Sequence, residues 1–155
     1  MKQLLLCIAL LATACKSQQN SAAVKTGKES ADNLELLLQD GYAGITEAAF
    51  MVVKDQKTLK GFYSKINRTR KPGIVPPYID FNKELVVIFC NGETSENMLP
   101  SLFIDTETDG ELILGVKPLK NLKTPTKAMV TSPFCIYKIP LTEKQISLTN
   151  HKVSE

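Results

Sequence analysis

The sequence predicts an α+β domain, in which one amphipathic helix accompanies a largely antiparallel β-sheet of about seven strands. Three observations lead there. Only one window, residues 56–67, repeats apolar side chains at helical spacing: Leu59, Phe62, Tyr63 and Ile66 fall at i, i+3, i+4 and i+7. Short runs rich in Val, Ile, Leu and Phe recur on both sides of that window, broken by Pro, Gly and Asp. These runs follow one another without intervening helices, a pattern that builds antiparallel pairs rather than helix-linked parallel strands.

In chain order, residues 34–38 and 48–53 read as strands, the second rich in β formers around Phe50, Val52 and Val53, with Gly41 and Gly44 permitting a bend or bulge between them. Asp55 precedes the helix as its N-cap, because a carboxylate there accepts from the otherwise unpaired N–H groups of the first turn. Pro72, Pro76 and Pro77 forbid regular structure after the helix and force an extended connection. Residues 84–90, ELVVIFC, form a continuous apolar run of strand length, which fits a central strand covered on both faces.

The run LFIDTETDGELILGV reads as a hairpin, and its turn length follows from which residues must share a face. Pairing Glu107 with Glu111 across Thr108, Asp109 and Gly110 puts Leu102, Ile104, Leu112, Leu114 and Val116 on one face. A two-residue Asp109-Gly110 turn scatters them over both, so the longer loop is expected, with Gly110 left-handed. Residues 118–125 then read as a lysine-bearing loop. Residues 134–139, bounded by Pro133 and Pro140, and residues 145–148 complete the strands.

The chain opens MKQLLLCIALLATAC. One lysine, an apolar run over residues 4–12 and the small residues Ala12, Thr13 and Ala14 before Cys15 have the layout of a bacterial lipoprotein signal. That run is far short of the roughly 20 residues that span a bilayer as a helix. Residues 1–14 are therefore expected to be a signal peptide, with Cys15 as the lipidated residue. A plain secretory signal would leave a free cysteine at the new amino terminus in an oxidising compartment, which is a liability. The following KSQQNSAAVKTGKESADN has no apolar period and no aromatic residue, so it cannot offset its chain entropy by burial. Residues 15–33 thus read as the lipidated cysteine and a flexible tether, holding the domain on the order of 20–25 Å from a membrane. Residues 34–155 form a single domain, long enough for one core. The expected location is the bacterial cell envelope. Lys16, standing where an aspartate would favour retention at the inner membrane, fits passage to an outer one.

Composition narrows the function classes. The net charge of +3 includes Lys2 and is too small for a nucleic-acid partner. The only histidine, His151, lies in a polar C-terminal tail where nothing holds it beside a nucleophile, so no catalytic residue is assigned and no enzyme is expected. No spacing calls for a metal or a cofactor. Asp105, Glu107 and Glu111 are expected on one face of the hairpin, with Asp109 in its loop and Glu93 and Glu96 nearby. Such oxygen ligands suit Ca²⁺, but no EF-hand spacing is present and a solvated face that discourages edge pairing explains them more simply. Residues 54–71 carry seven basic side chains against one acid, Asp55. An acidic partner or lipid head groups would suit that helix, with solvation again the simpler account. Cys90 and Cys135 both fall in apolar strands. A disulfide and two buried free thiols are both open to them, and buried thiols are the expectation.

The stretch PPYIDFNKELVVIFCNGE, with TSPFCIYKIP after a gap, resembles the C-terminal domain of the PrcB-like family, lipoproteins associated with bacterial surface protease complexes. The resemblance covers residues 76–148. It rests on Asp80-Phe81 before a strand, Phe89 with Gly92-Glu93 after it, and Ser132-Pro133 leading to Ile136, Lys138, Ile139 and Pro140. Where that family has a Thr-Gly-Gly-Tyr loop, this chain has Thr94, Ser95, Glu96, Asn97 and Met98. The resemblance implies a non-catalytic binding module, moored to the membrane by its lipid, that docks onto or stabilises an exported protease complex. The implied interaction loop is Gly92, Glu93, Thr94, Ser95, Glu96, Asn97 and Met98. Inhibition of an exported peptidase and binding of a small ligand or Ca²⁺ are the alternatives.

Overall fold

The computed structural model describes residues 33–96, 98–120 and 130–149, and its elements follow the order β1 (Glu35–Asp40), β2 (Ala49–Val53), α1 (Gln56–Ile66), β3 (Glu84–Cys90), β4 (Met98–Glu107), β5 (Glu111–Lys120), β6 (Phe134–Pro140) and β7 (Gln145–Leu148). The fold is α+β and mostly sheet. Its strands divide between two sheets: β1-β6-β3-β2, antiparallel throughout, and β4-β5-β7, where β7 joins β5 in parallel.

The four-stranded sheet is the middle layer. Because side chains of a strand alternate between faces, Val86, Ile88 and Cys90 of β3, with Phe134 and Ile136 of β6, meet Leu59, Phe62, Tyr63 and Ile66 of α1. Their neighbours Leu85, Val87 and Phe89, with Cys135, Tyr137 and Ile139, meet Leu102, Leu112 and Leu114 of the second sheet. This two-sided cover explains the unbroken apolar run of β3. One polar pair sits between the sheets, where Ser101 Oγ and the Tyr137 hydroxyl lie 2.9 Å apart and satisfy each other.

The helix begins where the cap residue predicts. Asp55 has extended backbone, and its carboxylate accepts from the Thr58 N–H at 2.8 Å and the Thr58 hydroxyl at 2.7 Å. Those hydrogen bonds, the hydroxyl's first, hold the Asp55 carboxyl below the usual carboxylate range. Two amide side chains of this layer then fasten the proline-rich connection. Asn67 both donates to the Ile74 carbonyl and accepts from the Ile74 N–H, each at 2.8 Å. Gln56, about three turns away at the other end of α1, donates to the Pro77 carbonyl at 3.0 Å and accepts from the Ile79 N–H at 3.3 Å. Residues 74–79 therefore run as a strap antiparallel to the helix.

The hairpin differs from expectation at its tip. Leu102↔Val116 and Ile104↔Leu114 pair as the shared apolar face demands, but the register slips between Ile104 and Thr106, so Glu107 faces Leu112 and not Glu111. Asp105 is the additional residue, a β-bulge that leaves the core face intact on both sides of the slip. The turn then spans residues 108–111, closed by the Thr108 N–H to the Glu111 carbonyl at 2.9 Å and by the Glu111 N–H to Thr108 Oγ1 at 3.1 Å. Gly110 is not left-handed; the positive-φ glycines among the described residues are Gly44 and Gly92.

Two further boundaries shift. β5 continues through Pro118 to Lys120, with Pro118 opposite Pro100 and Lys120 opposite Met98, so 118–120 belong to the ladder. Residues 121–125 of the expected loop lie outside the described residues. Met98, for the same reason, opens β4 and is not a loop residue.

Cys90 and Cys135 are free and buried. The pairing Phe89↔Cys135 and Cys90↔Phe134 explains why: the two cysteines lie on adjacent strands but one residue out of step, so Cys90 faces α1 while Cys135 faces the other sheet. That geometry leaves no disulfide to form. Burial pushes the Cys90 thiol up to about 11 and the Cys135 thiol up to about 12.

Candidate interaction site

The segment after β3 is held from both sides. Asn91 donates its N–H to the Pro133 carbonyl at 2.9 Å, and Glu93 donates to the Thr46 carbonyl at 3.0 Å. Between them Gly92 turns the chain with φ of +79°, and a Cβ there would stand 2.9 Å from both the Ala48 nitrogen and the Thr46 oxygen. Both the left-handed backbone and the crowding by main-chain atoms require glycine at this position.

Thr94 and Thr131 then form an isolated antiparallel bridge, exchanging N–H and carbonyl bonds at 2.9 and 2.8 Å. The Thr131 hydroxyl lies 3.2 Å from each of the Thr94 and Glu96 carbonyls, and Thr94 Oγ1 accepts from the Glu96 N–H at 3.1 Å. Of the seven predicted loop residues, Gly92 is buried, Thr94 is a bridge residue, and Glu93, Ser95 and Glu96 are exposed. Met98 begins a strand, and Asn97 lies outside the described residues. Thr131 opens the TSPFCIYKIP stretch, but its role at the loop comes from a bridge spanning 37 positions that no local pattern announces.

The loop opens onto a groove of about 230 Å³ whose lining includes Glu96, Met98, Leu99, Pro100, Val116 and Pro118. Its wall is largely apolar, and Glu96 stands at its rim with Glu93 nearby in sequence. The groove therefore offers a hydrophobic seat beside negative charge. Alongside it β4 is an edge strand, paired with β5 alone among the described strands, and Gln39 Nε2 of β1 donates to its Pro100 carbonyl at 2.6 Å, occupying that one acceptor. β2 is likewise an edge strand, paired with β3 alone among the described strands.

At the opposite end of β6, clefts of about 210 and 270 Å³ flank Ile139 and Pro140. Charged groups line them, but these satisfy one another: Lys138 meets Glu84 at 2.9 Å and Glu35 at 3.1 Å, and Lys144 meets Glu107 at 2.8 Å. The Glu84 carboxylate, then that of Glu35, raises the Lys138 ammonium above its ordinary value. Glu107 is thus committed to Lys144, and Asp105 accepts from the Thr149 hydroxyl at 3.2 Å. Among the described residues no three His, Cys, Asp or Glu side chains gather in a way that could hold a metal ion. Cys15 and His151 lie outside the described residues. No helix among those described is long and apolar enough to cross a membrane.

No family model, curated protein or solved structure matches the chain.

Proposed function

We propose that the protein is a lipid-anchored, non-catalytic module of the cell envelope that binds a protein partner through residues 92–96 and the adjoining groove. What supports this above all is the way the loop is built. Its backbone is pinned by Thr46 on one side and Thr131 on the other, and it projects Glu93, Ser95 and Glu96 beside an apolar cleft. A segment already ordered before it meets a partner loses little further freedom on binding. The partner this chemistry suits presents an apolar side chain to the groove and a cation to Glu96. An exported protease complex, as the PrcB-like resemblance implies, is the assigned class of partner, and the lipid on Cys15 would hold the module at the same membrane.

A photo-reactive residue in place of Ser95 in full-length protein, expressed in a bacterial host with this envelope, tests the reading. Ser95 is exposed, so the fold is unaffected. The expected result is a discrete crosslinked adduct that vanishes when the reactive residue is moved to Asp109 at the hairpin tip. Equal adducts from both positions, or none from Ser95, overturn it. The same pinned backbone is what a protease inhibitor needs, so the identified partner is then assayed for loss of activity.

A further inference from the structure

The helix layer presents an outer surface that the loop does not use. With successive residues about 100° apart around a helix, Lys57, Lys60 and Ser64 fall in a sector of about 60° that points away from Leu59, Phe62, Tyr63 and Ile66, and Arg68 follows in the turn just past the end of α1. All four are exposed, as are Lys54 and Lys71 at the two ends of the layer and Lys65 on its far flank. The ion pairs among the described residues engage Arg70, Lys83, Lys138 and Lys144, none of which belongs to this outer set. The acids close to the layer are occupied: Asp55 accepts from Thr58, Asp40 from Arg70, and Asp80 from Asn82 with Lys83 at 3.5 Å.

Beside these cations runs the strap over residues 74–79. Its inner residues are apolar and packed, Ile79 being 5% exposed, while Val75 and Tyr78 are 83% and 87% exposed, the highest values among the large apolar side chains described. Neither is exposed by laxity. The bonds from Asn67 to Ile74 and from Gln56 to Pro77 and Ile79 fix the strap on both sides of them. An apolar pair held outward beside a field of lysines needs a partner that takes both.

We propose that this face docks peripherally on an anionic phospholipid bilayer, with Lys57, Lys60 and Arg68 over headgroup phosphates and Val75 and Tyr78 in the headgroup region. Charge complementarity commits the occupant. Lysines near a negatively charged leaflet each gain from its surface potential, and tyrosine favours the interface where an apolar ring meets water. A protein partner fits less well, because protein interfaces are depleted in lysine and need roughly 800 Å² per side. None of these residues lines the described grooves or clefts. The face does not depend on a lipid at Cys15, although a tether would raise its local concentration at a surface.

The chain contains no tryptophan, so Tyr78→Trp makes a single fluorescent reporter at the proposed depth. Full-length Tyr78→Trp protein is mixed with vesicles rich in phosphatidylglycerol or made of phosphatidylcholine alone, each carrying lipids brominated near the headgroup. Flotation in the same samples reports anchoring separately. The expected result is a blue shift and quenching on the anionic vesicles only, reversed by salt, with partitioning weakened roughly fivefold for each of Lys57→Gln, Lys60→Gln and Arg68→Gln. Equal quenching on both vesicle types overturns the proposal, as does silence on anionic vesicles with which the chain floats. A shift with soluble polyglutamate but not with anionic vesicles assigns the face to an acidic protein instead.

Discussion

The central sheet has two covers built on different principles. On one side α1 and its strap close the core with interactions drawn from a short stretch of chain: the Asp55 cap bonds Thr58, Asn67 reaches Ile74, and Gln56 reaches Ile79. On the other side the cover comprises three strands, one of them parallel, tied by contacts such as Lys144 to Glu107 and Thr149 to Asp105, which span 37 and 44 positions. The local cover is regular and its outer surface is basic. The non-local cover is bulged, its outer side carries the glycine-facing ring of Phe103, and it adjoins the candidate interaction groove. Both bury comparable side chains against the same sheet, so local and distant contacts serve equally well for closure. What distinguishes them is regularity, since α1 runs unbroken from Gln56 to Ile66 whereas the β4–β5 ladder absorbs an additional residue as a bulge.

The largest effects should come from removing one anchor of each cover. Phe134 is fully buried, and its ring meets Phe62 of α1 edge-on with centroids 5.8 Å apart, whereas Leu114 is fully buried against the other face. Phe134→Ala should cost about 3–5 kcal/mol and Leu114→Ala about 2–5 kcal/mol in chemical denaturation. Amide hydrogen exchange should then separate them. Phe134→Ala is expected to accelerate exchange in α1 most, and Leu114→Ala in β4 and β5. Identical exchange profiles would mean that the two covers open as one unit, and the distinction drawn between them would fail.

The difference between the covers also governs what could be read from sequence. The helix was legible in full, because the spacing of Leu59, Phe62, Tyr63 and Ile66 states both its period and its buried face. β3 was legible because a run apolar at every position has only one place to go in a small α+β domain. The hairpin was half legible. Leu102, Ile104, Leu112 and Leu114 report which face is inward, but they lie on either side of Asp105 and are satisfied whether or not the bulge is there, so they say nothing about the pairing of Glu107. The division into two sheets, and the parallel docking of β7, depend on which distant strands meet, and alternation within a strand is silent on that. At the candidate site, Gly92 carried a visible signal as a glycine after a strand. Thr131, whose hydroxyl reaches two loop carbonyls, carried none.

A pH titration sharpens the comparison because one cysteine lies under each cover. Burial raises both thiols from an ordinary value near 9, to about 11 for Cys90 and about 12 for Cys135. A raised folded-state value means that the folded chain holds its thiol protons where the unfolded chain has lost them. The stabilising share is whole below pH 9 and declines as pH rises through about 11 to 12. Denaturation midpoints should therefore fall on the alkaline side, with Cys90→Ala and Cys135→Ala each flattening part of that decline. At neutral pH neither thiol should react with a thiol reagent unless the chain opens, and the cover that opens more often should release its own cysteine first. Rapid labelling of either cysteine in the native chain at neutral pH would contradict the burial of both.

The smallest expected effect tests how much give the strand-built cover has. A Cβ on Gly115 would lie 2.3 Å from Cζ of Phe103, the residue directly opposite on β4. At Gly92 the obstructing atoms are main chain and cannot move aside, but here the obstacle is the far end of a ring that is 36% exposed and free to swing toward solvent. Gly115→Ala should cost only about 1 kcal/mol, the ring losing its cross-strand contact rather than the strands parting. If that is the mechanism, Phe103→Ala and Gly115→Ala will be non-additive, since removing the ring removes the three atoms nearest to the new methyl. Additive losses, or a loss from Gly115→Ala as large as that from Leu114→Ala, would show that β4 and β5 are held as rigidly as the helix and that the bulge at Asp105 does not loosen this cover.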